Sequence, residues 1–322
     1  MSKKIQLIEV ISELGAGTRG SSLGIAALKV ASLNLGSNYF GRFPITIVPN
    51  ENELLFQPNL TPHAKYIEGI VKVYKNTAKQ VSKNLRKSKR FPIVLAGDHS
   101  TAGATIAGLR MAYPKKRLGV IWVDAHADLH TPYTTPSGNM HGMPLASALG
   151  MDNTKYQRND ISDKVAKLWD EIKNMGDICP KIRPEDLVLI GTRSAEDQEW
   201  ALIRDREIKC YAVAKVRKHG AVKIGKKAVK DLAHCDMIYV SFDVDSMDCD
   251  LVSKGTGTPV PDGLTEEEAN DLVCTLVSQP KVCCLEMVEI NPTLDNKVNT
   301  MAETAFRVLR NATQAIQNKA DK

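Results

Sequence analysis

Leu118-Gly-Val-Ile-Trp-Val-Asp-Ala-His-Ala-Asp128 passes from an apolar run directly into two carboxylates and an imidazole. A near-continuous apolar run reads as a strand buried on both faces, as in a parallel sheet with helices above and below. Asp124 comes just after the last apolar residue, at the strand's carboxyl end, where open α/β sheets bind ligands. Side chains two apart on an extended chain point the same way. The spacing therefore predicts that Asp124, His126 and Asp128 converge on one spot.

The same arrangement recurs along the chain. Strands are expected near Ile5–Ile11, Pro44–Val48, Pro92–Ala96, Leu118–Val123, Leu187–Ile190, Lys209–Val213, Met237–Phe242 and Val282–Val288. Helical patterns lie between many of them. One runs from Ser100, read as its cap, to Tyr113. Another opens at the capping box Thr265-Glu-Glu-Glu268 and continues toward Ser278. Strands alternating with helices predict a three-layer, doubly wound α/β fold with a mostly parallel sheet. His99, Asp243 and Glu289 each follow a strand as Asp124 does, so four segments bring acids or imidazoles to one edge. The polar stretch from Asp152 to Arg183 reads as a partly helical insertion, and residues 1–322 as one domain.

Bulk properties narrow the function classes. A chain of 322 residues with 43% hydrophobic content buries a large core without staples. It has no apolar run of membrane-spanning length, and Met1-Ser-Lys-Lys-Ile-Gln lacks the apolar region of a signal peptide, so a cytoplasmic protein is expected. Seven scattered cysteines, without a C-x-x-C pair, read as free buried thiols. Cys249, close after Asp245, is the candidate for a thiol exposed near the site. Much of the net charge of +6 comes from Lys72 to Arg90. Val71, Val73, Ala78, Val81 and Leu85 make that stretch a helix with a solvated lysine face, and no nucleic-acid partner is expected.

His99, Asp124, His126, Asp128, Asp243 and Asp245 together offer four carboxylates and two imidazoles. Two divalent cations neutralise four carboxylates. A single ion would leave two buried charges unpaired, at several kcal/mol each. The absence of thiolates disfavours a structural zinc site. Oxygen-rich ligation suits Mn²⁺, with Fe²⁺, Co²⁺, Ni²⁺ or Zn²⁺ as substitutes. Two such ions activate a water. His141, in the polar loop Ser137-Gly-Asn-Met-His-Gly142, is placed to carry a proton, and Glu289 to pair with a cationic substrate.

Ala96-Gly-Asp-His-Ser100, Trp122-Val-Asp-Ala-His-Ala-Asp128, Ser137-Gly-Asn-Met-His-Gly142, Ser241-Phe-Asp-Val-Asp245, Thr256-Gly-Thr-Pro259 and Met287-Val-Glu-Ile-Asn-Pro292 occur in that order. With Gly15 to Lys29, the set resembles the ureohydrolases, and within them the arginases. The resemblance implies eight mostly parallel strands and a binuclear manganese centre on the six residues above. It implies hydrolysis of L-arginine to L-ornithine and urea by a hydroxide bridging the two ions. It makes Asp128 the hydrogen-bond acceptor of that hydroxide, Glu289 the group that orients the guanidinium, and His141 the proton shuttle. Ser137 and Asn139 then receive the α-carboxylate, while Thr258 lies near the substrate or behind a metal ligand. A homotrimer or homohexamer is also implied. The residues alone leave agmatine, another guanidino acid or formiminoglutamate open as substrates.

Several positions depart from the family's pattern. Ala96 stands where Gly is usual, and His130 where an Asn contacts the amino-acid end of the substrate. Arg193-Ser-Ala-Glu-Asp-Gln-Glu199 lacks the usual Asp-x-Asp after the Arg, which puts the longer Glu196 at the α-amino position. Met247-Asp-Cys-Asp250 lacks the usual Asp-Pro, and the loop to Thr256 is one residue longer. These changes bear on substrate recognition and spare the expected metal ligands.

Overall fold

The computed structural model describes residues 3–295 and 299–319. Met1 and Ser2, which begin the segment read as leading into the first strand, lie outside them. Eight strands form one sheet: β1 (Ile5–Val10), β2 (Ile45–Val48), β3 (Phe91–Ala96), β4 (Leu118–Val123), β5 (Leu187–Ile190), β6 (Lys209–Tyr211), β7 (Met237–Asp243) and β8 (Val282–Val288). Their order is β2-β1-β3-β8-β7-β4-β5-β6. Every pairing is parallel, so the expected "mostly parallel" sheet is wholly so.

Helices cover both faces, because adjacent strand residues point to opposite sides. Ile93, Leu95, Ile121 and Val123 face one core. It is closed by α1 (Gly24–Asn34), α9 (Ala221–Asp231), α10 (Glu266–Val277) and α11 (Thr300–Asn318). Val94, Ala96, Val120 and Trp122 face the other. On that side lie α3 (Ile67–Lys83), α4 (Ala102–Ala112), α5 (Pro144–Leu149), α6 (Asp163–Lys173) and α7 (Asp197–Asp205). The short helices α2 (Tyr39–Arg42) and α8 (Val213–His219) complete the set. Val71, Val73, Ala78 and Val81 of α3 are buried while Lys72, Lys75, Lys79 and Lys83 are exposed, as the basic stretch predicts. Among the described residues no helix is long and apolar enough to cross a membrane.

Two caps test the local reading. Thr265 Oγ1 accepts from Glu268 N at 3.1 Å and Glu268 Oε2 from Thr265 N at 2.9 Å, the reciprocal box expected at α10. Ser100 is not a cap. The chain turns two residues earlier, where Asp98 accepts from Ser100 N at 2.8 Å and starts a short 3₁₀ turn ahead of α4. A shorter acid–turn geometry wins because Asp98 is also held by Gly15 N at 2.9 Å. Cys249 is buried rather than exposed, and burial pushes its thiol pKa up, which removes the case for a reactive thiol there. Cys179, read as buried, is exposed.

Candidate active site

The four strands that carry the expected chemistry, β3, β8, β7 and β4, are the four contiguous strands at the sheet's centre. Their carboxyl ends open into a cavity of about 270 Å³ lined by His99, His126, Asp128, Asp243, Asp245 and Glu289 among others. Two groups of ligand atoms overlap there: His99, Asp124 and Asp128, and Asp124, His126 and Asp245, each with its atoms within 4.8 Å of one another.

His99 is fixed on two sides. Its ring stacks on Trp122 at 4.0 Å with 5° between the planes, and Nε2 contacts Ser241 Oγ at 2.7 Å. Nδ1 is thereby aimed at Asp124, Asp128 and Asp243, whose oxygens lie 3.0, 3.2 and 3.1 Å away. His126 Nδ1 lies 3.0 Å from Asp245 and 3.5 Å from Asp124. Thr258 Oγ1 donates to Asp245 Oδ2 at 3.1 Å, so it steadies that carboxylate while also lining the cavity. Asp243, the last residue of β7, accepts from Asp245 N at 2.8 Å.

The convergence has a different cause from the one the spacing predicts. Residues 124–128 are not extended: β4 stops at Val123 and the chain bends. Asp128 has φ 52° and Glu289 φ 68°, left-handed values that a non-glycine residue adopts only where its surroundings hold it. Asp245 sits in a 3₁₀ turn after β7. Loop curvature, rather than strand alternation, gathers the carboxylates.

The cluster's electrostatics fit a pair of divalent cations. Burial works against every charge in it. At Asp128 burial, then the Asp124 carboxylate, lifts the pKa to about 6. At Asp243 burial, with Asp245 and Asp124, pushes it well above the ordinary range. Asp124 goes the other way: burial is outweighed by His126 and His99, which hold it low. Burial opposes the charge on both imidazoles, yet the surrounding carboxylates raise them well above the usual histidine value. Three of the four carboxylates and both imidazoles are thus shifted toward holding protons, for want of other positive charge. His99 Nδ1 and Asp124 Oδ2 are buried 3.0 Å apart but are not aligned for a hydrogen bond, an arrangement that suits atoms converging on a shared cation.

His141 and Glu289 form one unit. His141 Nδ1 lies 3.1 Å from Glu289 Oε1, which also accepts from His99 N at 2.8 Å. Burial lowers the His141 pKa, but Glu289 outweighs it and the net value rises to about 8. Burial likewise opposes Glu289's charge, and His141 more than compensates, holding it below the usual carboxylate range. Glu289 Oε2 is buried with no partner.

At the rim, Asn139 N donates to Ser137 Oγ at 3.1 Å, and both residues line the cavity. His130 Nε2 lies 2.8 Å from Glu196 Oε2. That contact is the main reason Glu196's pKa falls to about 2. Two rim residues were not anticipated. Lys65 Nζ donates to Asn139 Oδ1 at 2.9 Å, from a segment with no sequence link to that loop. Glu199 is buried, lines the cavity, lies 3.4 Å from His130 and accepts from Leu129 N at 2.9 Å. Its spacing from Glu196, a capping-box interval at the start of α7, is the signal that would have found it.

Comparison with known proteins agrees with this geometry. Residues 3–314 match the model of the Arginase family. The chain is 33% identical to the arginase of Bacillus subtilis over 318 residues, covering 96% of this chain and 97% of that one. A crystal structure of the Bacillus subtilis arginase superposes with a TM-score of 0.80 at 32% identity, covering 97% and 98% of the two chains. The arginase of Entamoeba histolytica in complex with L-ornithine gives 0.81 at 25% identity, with the same coverage. Sequence, sheet order and cavity converge, and the chain belongs to the Arginase family of hydrolases.

Proposed function

We propose that this protein is an arginase, which hydrolyses L-arginine to L-ornithine and urea with two Mn²⁺ ions. The observation that carries the reading is Glu289 Oε2, a buried carboxylate oxygen with no partner, on a residue that lines the cavity beside the carboxylate cluster. Such an oxygen demands a strong donor, and a guanidinium is a planar fork of N–H groups made for carboxylates. His99, Asp124, His126, Asp128, Asp243 and Asp245 would hold the ions. When bound, the ions supply an activated water and polarise the electrophile. Co²⁺, Ni²⁺ or Fe²⁺ are substitutes the same donors tolerate.

The chain's own groups do the rest. Glu289 holds the guanidinium with its carbon toward the cluster. Asp128 accepts a hydrogen bond from the attacking water and takes its proton. Water's oxygen bonds to the guanidinium carbon, the bond from that carbon to the ornithine nitrogen breaks, and a proton reaches the leaving amine. His141, charged near neutrality through Glu289, is the group to deliver it. Ser137 and Asn139 receive the α-carboxylate. Thr258 keeps Asp245 in place. We read residues 1–322 as one cytoplasmic domain that assembles as a homotrimer or homohexamer and takes no nucleic acid or membrane as partner.

The pairing of His130 with Glu196 supports a second reading, because it occupies the carboxylate that would take arginine's α-ammonium. A guanidino acid without that ammonium, or formiminoglutamate, would then compete; agmatine keeps the ammonium and lacks the carboxylate, so the pairing does not favour it, and it enters the panel as the remaining alternative. The test is urea and ornithine release from arginine after Mn²⁺ loading, beside a panel of those compounds. No turnover of arginine over a broad pH range, with metal bound, refutes the first reading. The highest kcat/KM for arginine removes the second.

A further inference from the structure

At the opposite end of the sheet, two neighbouring strands are entered through loops of the same pattern. Pro114-Lys-Lys-Arg117 leads into β4 and Pro180-Lys-Ile-Arg183 precedes β5, whose strands pair at Val120 and Leu187. The loops face each other across a recess of about 280 Å³, which Arg110 closes from the last turn of α4. Six cationic side chains therefore line one small cavity, against a single lining carboxylate, Asp186.

The nearby acids are already engaged. Asp186 Oδ1 accepts from Arg117 Nε at 2.7 Å, and its Oδ2 from Arg183 N at 3.1 Å. Its Oδ1 also meets His234 Nε2 at 2.9 Å and Cys235 Sγ at 3.4 Å. The guanidinium of Arg117 on that same oxygen argues against a metal at Asp186, His234 and Cys235, although their ligand atoms cluster. Glu185 takes Arg117 NH2 at 2.9 Å and lies 3.9 Å from Arg183. Among the described residues, no carboxylate forms an ion pair with Arg110, Lys115, Lys116 or Lys181.

Two of those four are set inward. Lys181 is 3% exposed and reaches only main-chain carbonyls, Ile172 O at 3.3 Å and Lys173 O at 2.5 Å. Burial lowers its pKa to about 8, the response of an ammonium short of negative charge. Arg110 hydrogen-bonds the Lys116 carbonyl, and its Nε is buried without a partner. Lys115 and Lys116 stand at the mouth, exposed. A carboxylate would offset one of these charges. A chain of phosphates offsets several, and its tetrahedral oxygens suit both the arginine fork and the lysine point charges.

We propose that this recess binds a small polyphosphate group, a diphosphate or triphosphate chain, at the end of the sheet opposite the candidate metal cluster. The test is equilibrium dialysis of the full, metal-loaded chain with pyrophosphate at about 0.15 M salt, where exposed charges are screened beyond ~8 Å. Metal content is followed in parallel, because pyrophosphate also chelates. The site's signal is the difference between wild type and K115A/K116A, whose melting temperatures should match. Expected are one pyrophosphate per chain, orthophosphate at least about tenfold weaker, and a loss of about tenfold or more in K115A/K116A. R183Q should weaken binding less, and the control pair K223A/K226A, on the exposed side of α9, should leave it unchanged. Tripolyphosphate binding as tightly as a nucleoside triphosphate would assign recognition to the phosphate chain alone. Tighter nucleotide binding would assign a share to the nucleoside. Identical binding by wild type and K115A/K116A, or an equal loss in the control pair, overturns the proposal.

Discussion

Glu289→Gln isolates the charge on which the proposed substrate recognition rests. The amide is nearly isosteric, so it fits the left-handed position at φ 68° as the acid does. Its oxygen can still accept from His99 N, which now lies 2.8 Å from Oε1. Metal content should therefore be unchanged. What is lost is a buried negative charge within contact of a guanidinium. At about 4 Å and an effective dielectric of about 20, that attraction is worth about 4 kcal/mol. The amide keeps a dipole and one acceptor, so the net loss is about 3 kcal/mol. That corresponds to a fall in kcat/KM for arginine of about a hundredfold. A second effect follows from the pairing at 3.1 Å. Without the carboxylate, burial dominates at His141 and its pKa drops from about 8, so any alkaline limb set by that imidazole moves to lower pH. The assay is initial-rate urea release across pH, with metal measured on the same samples. A kcat/KM within about threefold of wild type, with metal retained, would refute Glu289 as the guanidinium's partner.

His141→Asn should lower kcat while leaving metal content intact, since it removes a proton carrier that touches no candidate ligand side chain. Its stability effect carries a sign. A histidine raised from 6.5 to about 8 adds stability that is complete below pH 6.5 and is lost as pH rises through 8. The melting difference between wild type and His141→Asn should shrink over that window, and a difference that grows with pH would contradict the ion pair. Asp128→Ala should lose metal and activity together, and chelation of the wild type should lower its melting temperature, because four buried carboxylates then repel; unchanged metal content in Asp128→Ala, read by elemental analysis, counts against the ligand assignment. His130→Asn frees Glu196 from its 2.8 Å contact. Preference for arginine over its analogue lacking the α-amino group should then rise by about tenfold, measured as a ratio of kcat/KM values, and no change would show that Glu196 does not meet that end of the substrate.

The six inner strands were legible because burial on both faces writes a signal into each segment by itself, while the part-exposed edge strands β2 and β6 carry a weaker apolar run. All eight fall where apolar runs end at turn residues, and Val120-Ile-Trp-Val123 needs no partner to be recognised. The order β3-β8-β7-β4 was not legible, since it depends on pairings between segments as much as about 190 residues apart. The candidate metal-ligand set was assembled through residue type and place at strand ends, and the structure brings those side chains together. Its stated geometric reason failed: Asp124, His126 and Asp128 meet by a bend and a left-handed residue, which spacing does not encode. Glu199 and Lys65 escaped for a related reason. Each touches the rim through a side chain whose partner, His130 or Asn139, lies on a different loop.

The contrast between centre and rim follows from how each is held. Around the cluster, one substitution touches several groups: Asp124 meets both His99 Nδ1 and His126 Nδ1, and His99 Nδ1 in turn meets Asp128 and Asp243, so losing one carboxylate changes the charge balance of the whole buried set. Such a network changes as a whole or not at all. The rim is half open, and its pieces pair locally. Glu196's side chain is 50% exposed, so water offsets a misfit there. His130 in place of the family's Asn brings a larger, basic ring, and Glu196 in place of Asp brings a longer acid; together they close into a 2.8 Å contact, backed by Glu199 at 3.4 Å. An Asn offers Glu196 an amide N–H but no charge, and an Asp is one methylene shorter than Glu196, so the charged contact seen here draws on both departures. The two departures are therefore one feature, and their double-mutant coupling, rather than either single effect, tests the proposal that this pair meets the amino-acid end of the substrate.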